Sequence, residues 1–184
     1  MVKCNFELWN EPNYFAFWGP RDPRRGREEY FELYDHTAKA VKSVNANYLV
    51  GGHAGAGPEW VESFLKFCIA SNSPVDFITC HGYGLGGGPS GMDTEGNSLL
   101  YLSEDLLVPA RNALCQQPVL AACGKTNLPV HITEWSTSYS LRDPVHDAYF
   151  SAPYILEQFK TPSTMSPRFT TGCSPTSLRR ASRR

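Results

Sequence analysis

The sequence has no apolar run approaching the roughly 18 residues of a membrane-spanning helix, and its first residues lack the basic-then-apolar pattern of a signal peptide. No membrane partner is expected, and a cytoplasmic location is favoured, the compartment itself being unknown from sequence. Six cysteines are present, yet no two form a C-x-x-C pair, and none of the five histidines has a partner at H-x-x-x-H spacing. Several cysteines sit inside apolar runs, where a thiol behaves as a small hydrophobe, so reduced core cysteines are expected and neither metal nor cofactor is implied. Residues 161–184 contain no acid at all: five arginines give this stretch a net charge of +5, whereas residues 1–160 hold 12 Lys and Arg against 18 Asp and Glu, a net of −6. The stretch is rich in Ser, Thr, Pro and Arg and lacks apolar periodicity and any strand-like run, so a disordered tail is expected after a domain at 1–160. It also lacks interleaved aromatics, and no nucleic-acid partner is expected. Oligomeric state is not legible.

Two further absences remove nucleotide chemistry. "CGKT" (Cys123–Thr126) resembles the end of a phosphate-binding loop, but Val119 stands where the first glycine must be, and the segment precedes a strand instead of opening a helix. "GGHAGAG" (Gly51–Gly57) lacks the spacing of a dinucleotide fingerprint.

What is present is a regular alternation. Apolar runs at Cys4–Trp9, Tyr48–Gly52, Val75–Tyr83 and Leu128–Trp135 read as strands. Between and after them, Glu28–Asn45, Pro58–Ala70, Ser103–Cys123 and Val145–Lys160 carry helical spacing, with Pro118 expected to kink or end the third helix and Pro153 expected to disturb the fourth at a cost of about 3 kcal/mol. Four strand–helix units in series imply an α/β fold with parallel strands, either doubly wound or part of a (β/α)8 TIM barrel. In both, ligands bind at the carboxyl ends of the strands.

The unusual residues are at those ends. "FELWNEPN" (Phe6–Asn13) closes an apolar run on a glutamate, a residue that strands disfavour. Period-2 alternation groups Glu7, Trp9 and Glu11; then Phe77, Thr79, His81 and Tyr83; then Val130, Ile132 and Glu134. Two glutamates, a histidine and a tyrosine are thereby expected on one inner surface. Paired glutamates across a cleft are the equipment of glycoside hydrolysis, in which one carboxyl donates a proton to the leaving oxygen and the other attacks or directs water. Trp18 and Trp135 suit the apolar faces of sugar rings or equally a helix–sheet junction, and Asn10 suits a sugar hydroxyl.

"FELWNEPN" followed by "FW", then "DFITCHGY", then "HITEWSTSYSLRDPVHDAYF" resemble the retaining glycoside hydrolases of family 39, the β-xylosidase and α-L-iduronidase group, over roughly residues 3–160. The last motif is closer to the β-xylosidases. The resemblance implies a (β/α)8 barrel in which Glu11, after the fourth strand, is the general acid/base, and Glu134, ending the seventh, is the nucleophile. Asn10 would bind the sugar 2-hydroxyl, and His81 and Tyr83, after the sixth strand, would line the sugar subsite. His53, ending the fifth strand, is matched loosely as a further substrate contact. Such a barrel takes about 250 residues. The chain is thus expected to be a truncated, carboxyl-terminal part of the barrel, strands 4–7 with their helices, and to be inactive as it stands. The alternatives are a non-catalytic carbohydrate-binding or vestigial fragment, or iduronidase-like specificity.

Overall fold

The computed structural model describes residues 4–14, 23–85, 91–92, 94–95, 98–99, 101–140, 142–159 and 168–169. Its main sheet has five strands in the order β1 (Asn5–Glu7), β2 (Leu49–Gly55), β3 (Phe77–Tyr83), β6 (Val130–Ser136) and β7 (Arg168–Phe169), and every neighbouring pair is parallel. A small antiparallel pair, β4 (Gly91–Met92) and β5 (Ser98–Leu99), lies in the excursion after β3. Helices α1 (Pro23–Val44), α2 (Val61–Ala70), α3 (Val108–Leu114), α4 (Gln117–Ala122) and α5 (Ser151–Gln158) connect the strands. Four parallel strands with their crossover helices curl into part of an α/β barrel, one of the two arrangements that the alternating periods allow and the one that the family resemblance implies. Among the described residues, no helix is long and apolar enough to cross a membrane.

The core lies between the sheet and the helices. Tyr30, Phe31, Tyr34 and Ala38 of α1 and Val61, Phe64, Leu65 and Cys68 of α2 pack with Val50, Ile78, Cys80, Val130 and Ile132 from the strands and Leu120 from α4. The Tyr30 hydroxyl lies 3.1 Å from the carbonyls of both Leu8 and His53, tying α1 to the ends of β1 and β2. The opposite, concave face holds Phe77 against the His131 ring at 5.2 Å, and Thr133 donates a 2.7 Å hydrogen bond across the curl to Glu7. Gly51 is required there, because a Cβ would fall 2.3 Å from the Phe77 ring.

The expected helix at Ser103–Cys123 is two short helices instead. Pro109 and Pro118 each sit in a first turn, where a missing N–H costs no intrahelical bond. The last expected helix is divided as well: a 3-10 turn covers Pro144–Asp147 and α5 starts only at Ser151. Pro153 is then the third residue of α5, so the penalty expected of an interior proline does not arise. "CGKT" ends α4. Gly124 takes φ +67°, and the Lys125 N–H donates to Leu120 O at 2.8 Å, the pattern of a helix terminator.

Cys68 and Cys80 are buried and unpaired, and burial pushes both thiols up to about 12. Of the tail, only Arg168–Phe169 is described; contrary to the expectation of no strand-like run, these residues pair with His131 and Ile132 of β6. The disorder expected of the remaining tail lies outside the described residues.

Candidate active site

The turn after β1 is conformationally unusual. Trp9 and Glu11 both adopt the left-handed region, at φ 70° and 45°, which costs a non-glycine residue roughly 1–2 kcal/mol. Hydrogen bonds offset that cost: the Glu11 N–H donates to Ala54 O at 2.8 Å, and Glu11 O accepts from Tyr14 N at 2.9 Å. Asn13 fixes the turn to the next loop, accepting from Ala56 N at 2.8 Å and donating to Glu59 at 3.3 Å. The turn therefore holds the Glu11 carboxylate over the carboxyl end of the sheet.

There it meets residues from two other strands. His81 Nδ1 is 2.8 Å from Glu11 Oε1 and 3.6 Å from Glu134 Oε2. The His81 side chain is 3% exposed, Glu11 14% and Glu134 30%, so a buried imidazole stands between two partly open carboxylates. One donor atom from each of the three lies within 4.8 Å of the other two. Tyr83 donates its hydroxyl to Glu134 Oε1. Burial first, and then the hydrogen bond and charge of Glu134, raise the Tyr83 phenol well above its ordinary value, so it remains a proton-bearing donor. These residues open into a cleft of about 600 Å³ lined also by Asn10, Tyr14, Glu59, Asn112 and Tyr139.

Glu134 reaches this face by a route that strict alternation does not describe. Val130 and Ile132 pair with Ile78 and Cys80 and belong to the helix-side core, not to the concave face expected of them. Between Ile132 and Glu134 the register with β3 slips by one residue, so His81 pairs with Glu134. This bulge turns Glu134 inward. His81 and Tyr83 need no such device, being two apart on β3. Gly82 between them is in close contact with α3, where a Cβ would fall 2.8 Å from the Pro109 Cα.

Of the other candidates, Asn10 lies in the cleft, and Trp18 falls outside the described residues. Two are placed elsewhere. Trp135, one residue beyond Glu134, turns to the helix side and packs edge-on against Phe159 at 5.8 Å. His53 is fully buried within a bulged stretch of β2, stacked on Trp60 at 6.4 Å and beside Phe64, and does not line the cleft. Tyr139, Tyr14, Glu59 and Asn112 were not singled out from sequence. Tyr139, which meets Tyr83 edge-on at 5.7 Å, lies inside the motif that follows Thr133-Glu134-Trp135, where a signal existed. Glu59 and Asn112, on a loop and a helix, carried none.

His53 makes a prediction about stability. Burial lowers its pKa from an ordinary 6.5 to about 3, so the folded protein holds it neutral. The unfolded chain takes up a proton as pH falls through about 6.5 and the folded chain does not, so this contribution to stability is complete above 6.5 and is lost at up to about 1.4 kcal/mol per pH unit towards 3. Chemical denaturation across that range should show His53→Phe losing less stability in acid than the parent chain. Parallel curves would contradict it.

The match to known proteins has the same extent as this architecture. Residues 1–167 match the model of glycosyl hydrolases family 39. The chain is 41% identical over 156 residues to a beta-xylosidase of Geobacillus stearothermophilus, covering 82% of this chain and 29% of that protein. It is 35% identical over 152 residues to a beta-xylosidase of Caldicellulosiruptor saccharolyticus, covering 83% of this chain and again 29% of the relative. Among solved structures, the GH39 enzyme from Xanthomonas axonopodis pv. citri superposes with a TM-score of 0.77 at 36% identity, and a monomeric beta-xylosidase from Caulobacter crescentus with 0.75 at 39%. Each covers 90% of this chain, which spans 32% and 33% of theirs. With the strand order, the two strand-end glutamates and a family match over most of its length in agreement, the chain belongs to glycosyl hydrolases family 39.

Proposed function

We propose that the chain carries the catalytic pair of a retaining glycosidase acting on β-xylosides, Glu11 being the acid/base and Glu134 the nucleophile. One observation carries this reading: two carboxylates from separate strand ends face each other across a cleft with their nearest donor atoms within 4.8 Å. An inverting pair stands about 6.5–9.5 Å apart to admit a water between the groups, whereas a retaining pair stands about 5–5.5 Å apart. The spacing here favours direct attack. Glu134 adds to the anomeric carbon as Glu11 protonates the departing oxygen; Glu11 then takes a proton from the water that releases the sugar. The Tyr83 hydroxyl holds one Glu134 oxygen, and Glu134 lines the cleft. His81 orients Glu11. Asn10 and Tyr139 line the same cleft, which supports a role for them in contacting the sugar.

An activated 2-fluoro-β-xyloside, which forms the covalent intermediate faster than it is released, tests the assignment. Peptide mapping should find the adduct on Glu134; an adduct on another residue would overturn it. The described sheet has five strands and is not a closed eight-stranded barrel, so among the described residues part of the subsite wall is lacking. A misplacement of 1 Å can cost about 10²-fold, and the chain alone should hydrolyse an aryl β-xyloside at least that much more slowly than a closed-barrel relative. Equal rates in a steady-state assay would contradict this.

A further inference from the structure

We propose that Glu11, His81 and Glu134 form a binding site for a divalent transition ion of the zinc class. The inference does not rest on the hydrolase reading, since it concerns three donor atoms and their spacing. Zinc takes bonds of about 2.0–2.2 Å to imidazole nitrogen and carboxylate oxygen in tetrahedral geometry, which sets its ligand atoms roughly 3.3–3.5 Å apart. His81 Nδ1 stands 2.8 Å from Glu11 Oε1 and 3.6 Å from Glu134 Oε2, and no pair of the three exceeds 4.8 Å. One separation must open by about half an ångström, one is already in range, and the carboxylates bear the remaining adjustment by side-chain rotation.

The surroundings favour an ion further. The imidazole is 3% exposed and comes from the middle of the sheet, so its position is fixed before any ion arrives. Its Nδ1 faces both carboxylates. Tyr83 donates to Glu134, the outer hydrogen bond that orients a ligating carboxylate. The cleft leaves the fourth position to water. Three protein donors including a nitrogen suit zinc, cobalt or copper; calcium and magnesium want six or more oxygens. An ion so held engages both carboxylates of the pair and excludes a sugar from the cleft.

The full chain can be titrated with Co²⁺ and then Zn²⁺, followed by visible absorption and calorimetry, with a phosphine reductant keeping the thiols reduced. The expected result is one Co²⁺ per chain with the bands of nitrogen and oxygen ligation, displaced by Zn²⁺ and not by excess Mg²⁺. Glu134→Gln, nearly isosteric, and His81→Ala should each weaken binding at least about tenfold with the far-ultraviolet circular dichroism unchanged. Cys115→Ser, at the exposed cysteine, should bind as the parent does. A sulfur-to-cobalt charge-transfer band, no binding at about 1 mM, or undiminished affinity in a folded Glu134→Gln would each overturn the proposal.

Discussion

Glu134→Gln should abolish turnover of every β-xyloside alike, while Glu11→Gln should fail in its first step only where the leaving group needs a proton. The measurement requires a closed barrel, obtained by placing residues 4–159 of this chain in the matching segment of the Caulobacter crescentus relative. Removing the nucleophile takes away the covalent intermediate itself, and losses of roughly 10⁵–10⁶-fold in kcat are the scale seen when a covalent nucleophile is deleted. Removing the proton donor costs about 10²–10⁴-fold where general acid help is needed. An activated aryl leaving group departs without that help, so glycosylation by Glu11→Gln should survive on such substrates and fail on alkyl xylosides or xylobiose. The second step then lacks its base. A small anion such as azide, which needs no deprotonation, should restore turnover to Glu11→Gln and yield a β-xylosyl azide. It should do nothing for Glu134→Gln in that sense. If both variants showed the same dependence on leaving-group acidity, the two roles would be wrongly assigned.

Phe64→Ala should cost the chain about 3–5 kcal/mol, a large part of the roughly 5–15 kcal/mol by which domains are stable. Phe64 is fully buried on α2. Its ring meets Tyr34 at 4.7 Å, Phe31 at 5.7 Å and His53 at 6.1 Å, and a Cβ added to Gly52 would stand 3.6 Å from it. The ring is therefore wedged between α1, α2 and β2, and these backbones cannot close over the space it leaves. The matching control is Leu156→Ala on α5, where the side chain is 64% exposed and the effect should stay within about 0.5 kcal/mol. Denaturant midpoints decide the matter; a loss below about 1 kcal/mol at Phe64 would show that the aromatic cluster is not the centre of the fold.

The sequence by itself determined the series of parallel strands and helices, because a buried strand and an amphipathic helix each impose their own spacing on apolar residues. It also determined that Glu11, His81, Tyr83 and Glu134 stand at strand ends, and the family motifs tied the two glutamates together. Which face each residue takes was decided only in the tertiary structure. Counting by twos puts Val130, Ile132 and Glu134 on one side, but a slip of one residue against β3 places the first two in the helix-side core and the last beside His81. Such a slip depends on the neighbouring strand and leaves no mark in the spacing of β6 itself. The irregular pairing of β2 likewise accompanies the burial of His53, and Trp135 turns away because successive strand residues alternate. The three donors of the candidate metal site come from residues 11, 81 and 134, and no short-spaced motif could reveal them. Their proximity is a property of the curled sheet, which brings together strand ends that lie far apart along the chain.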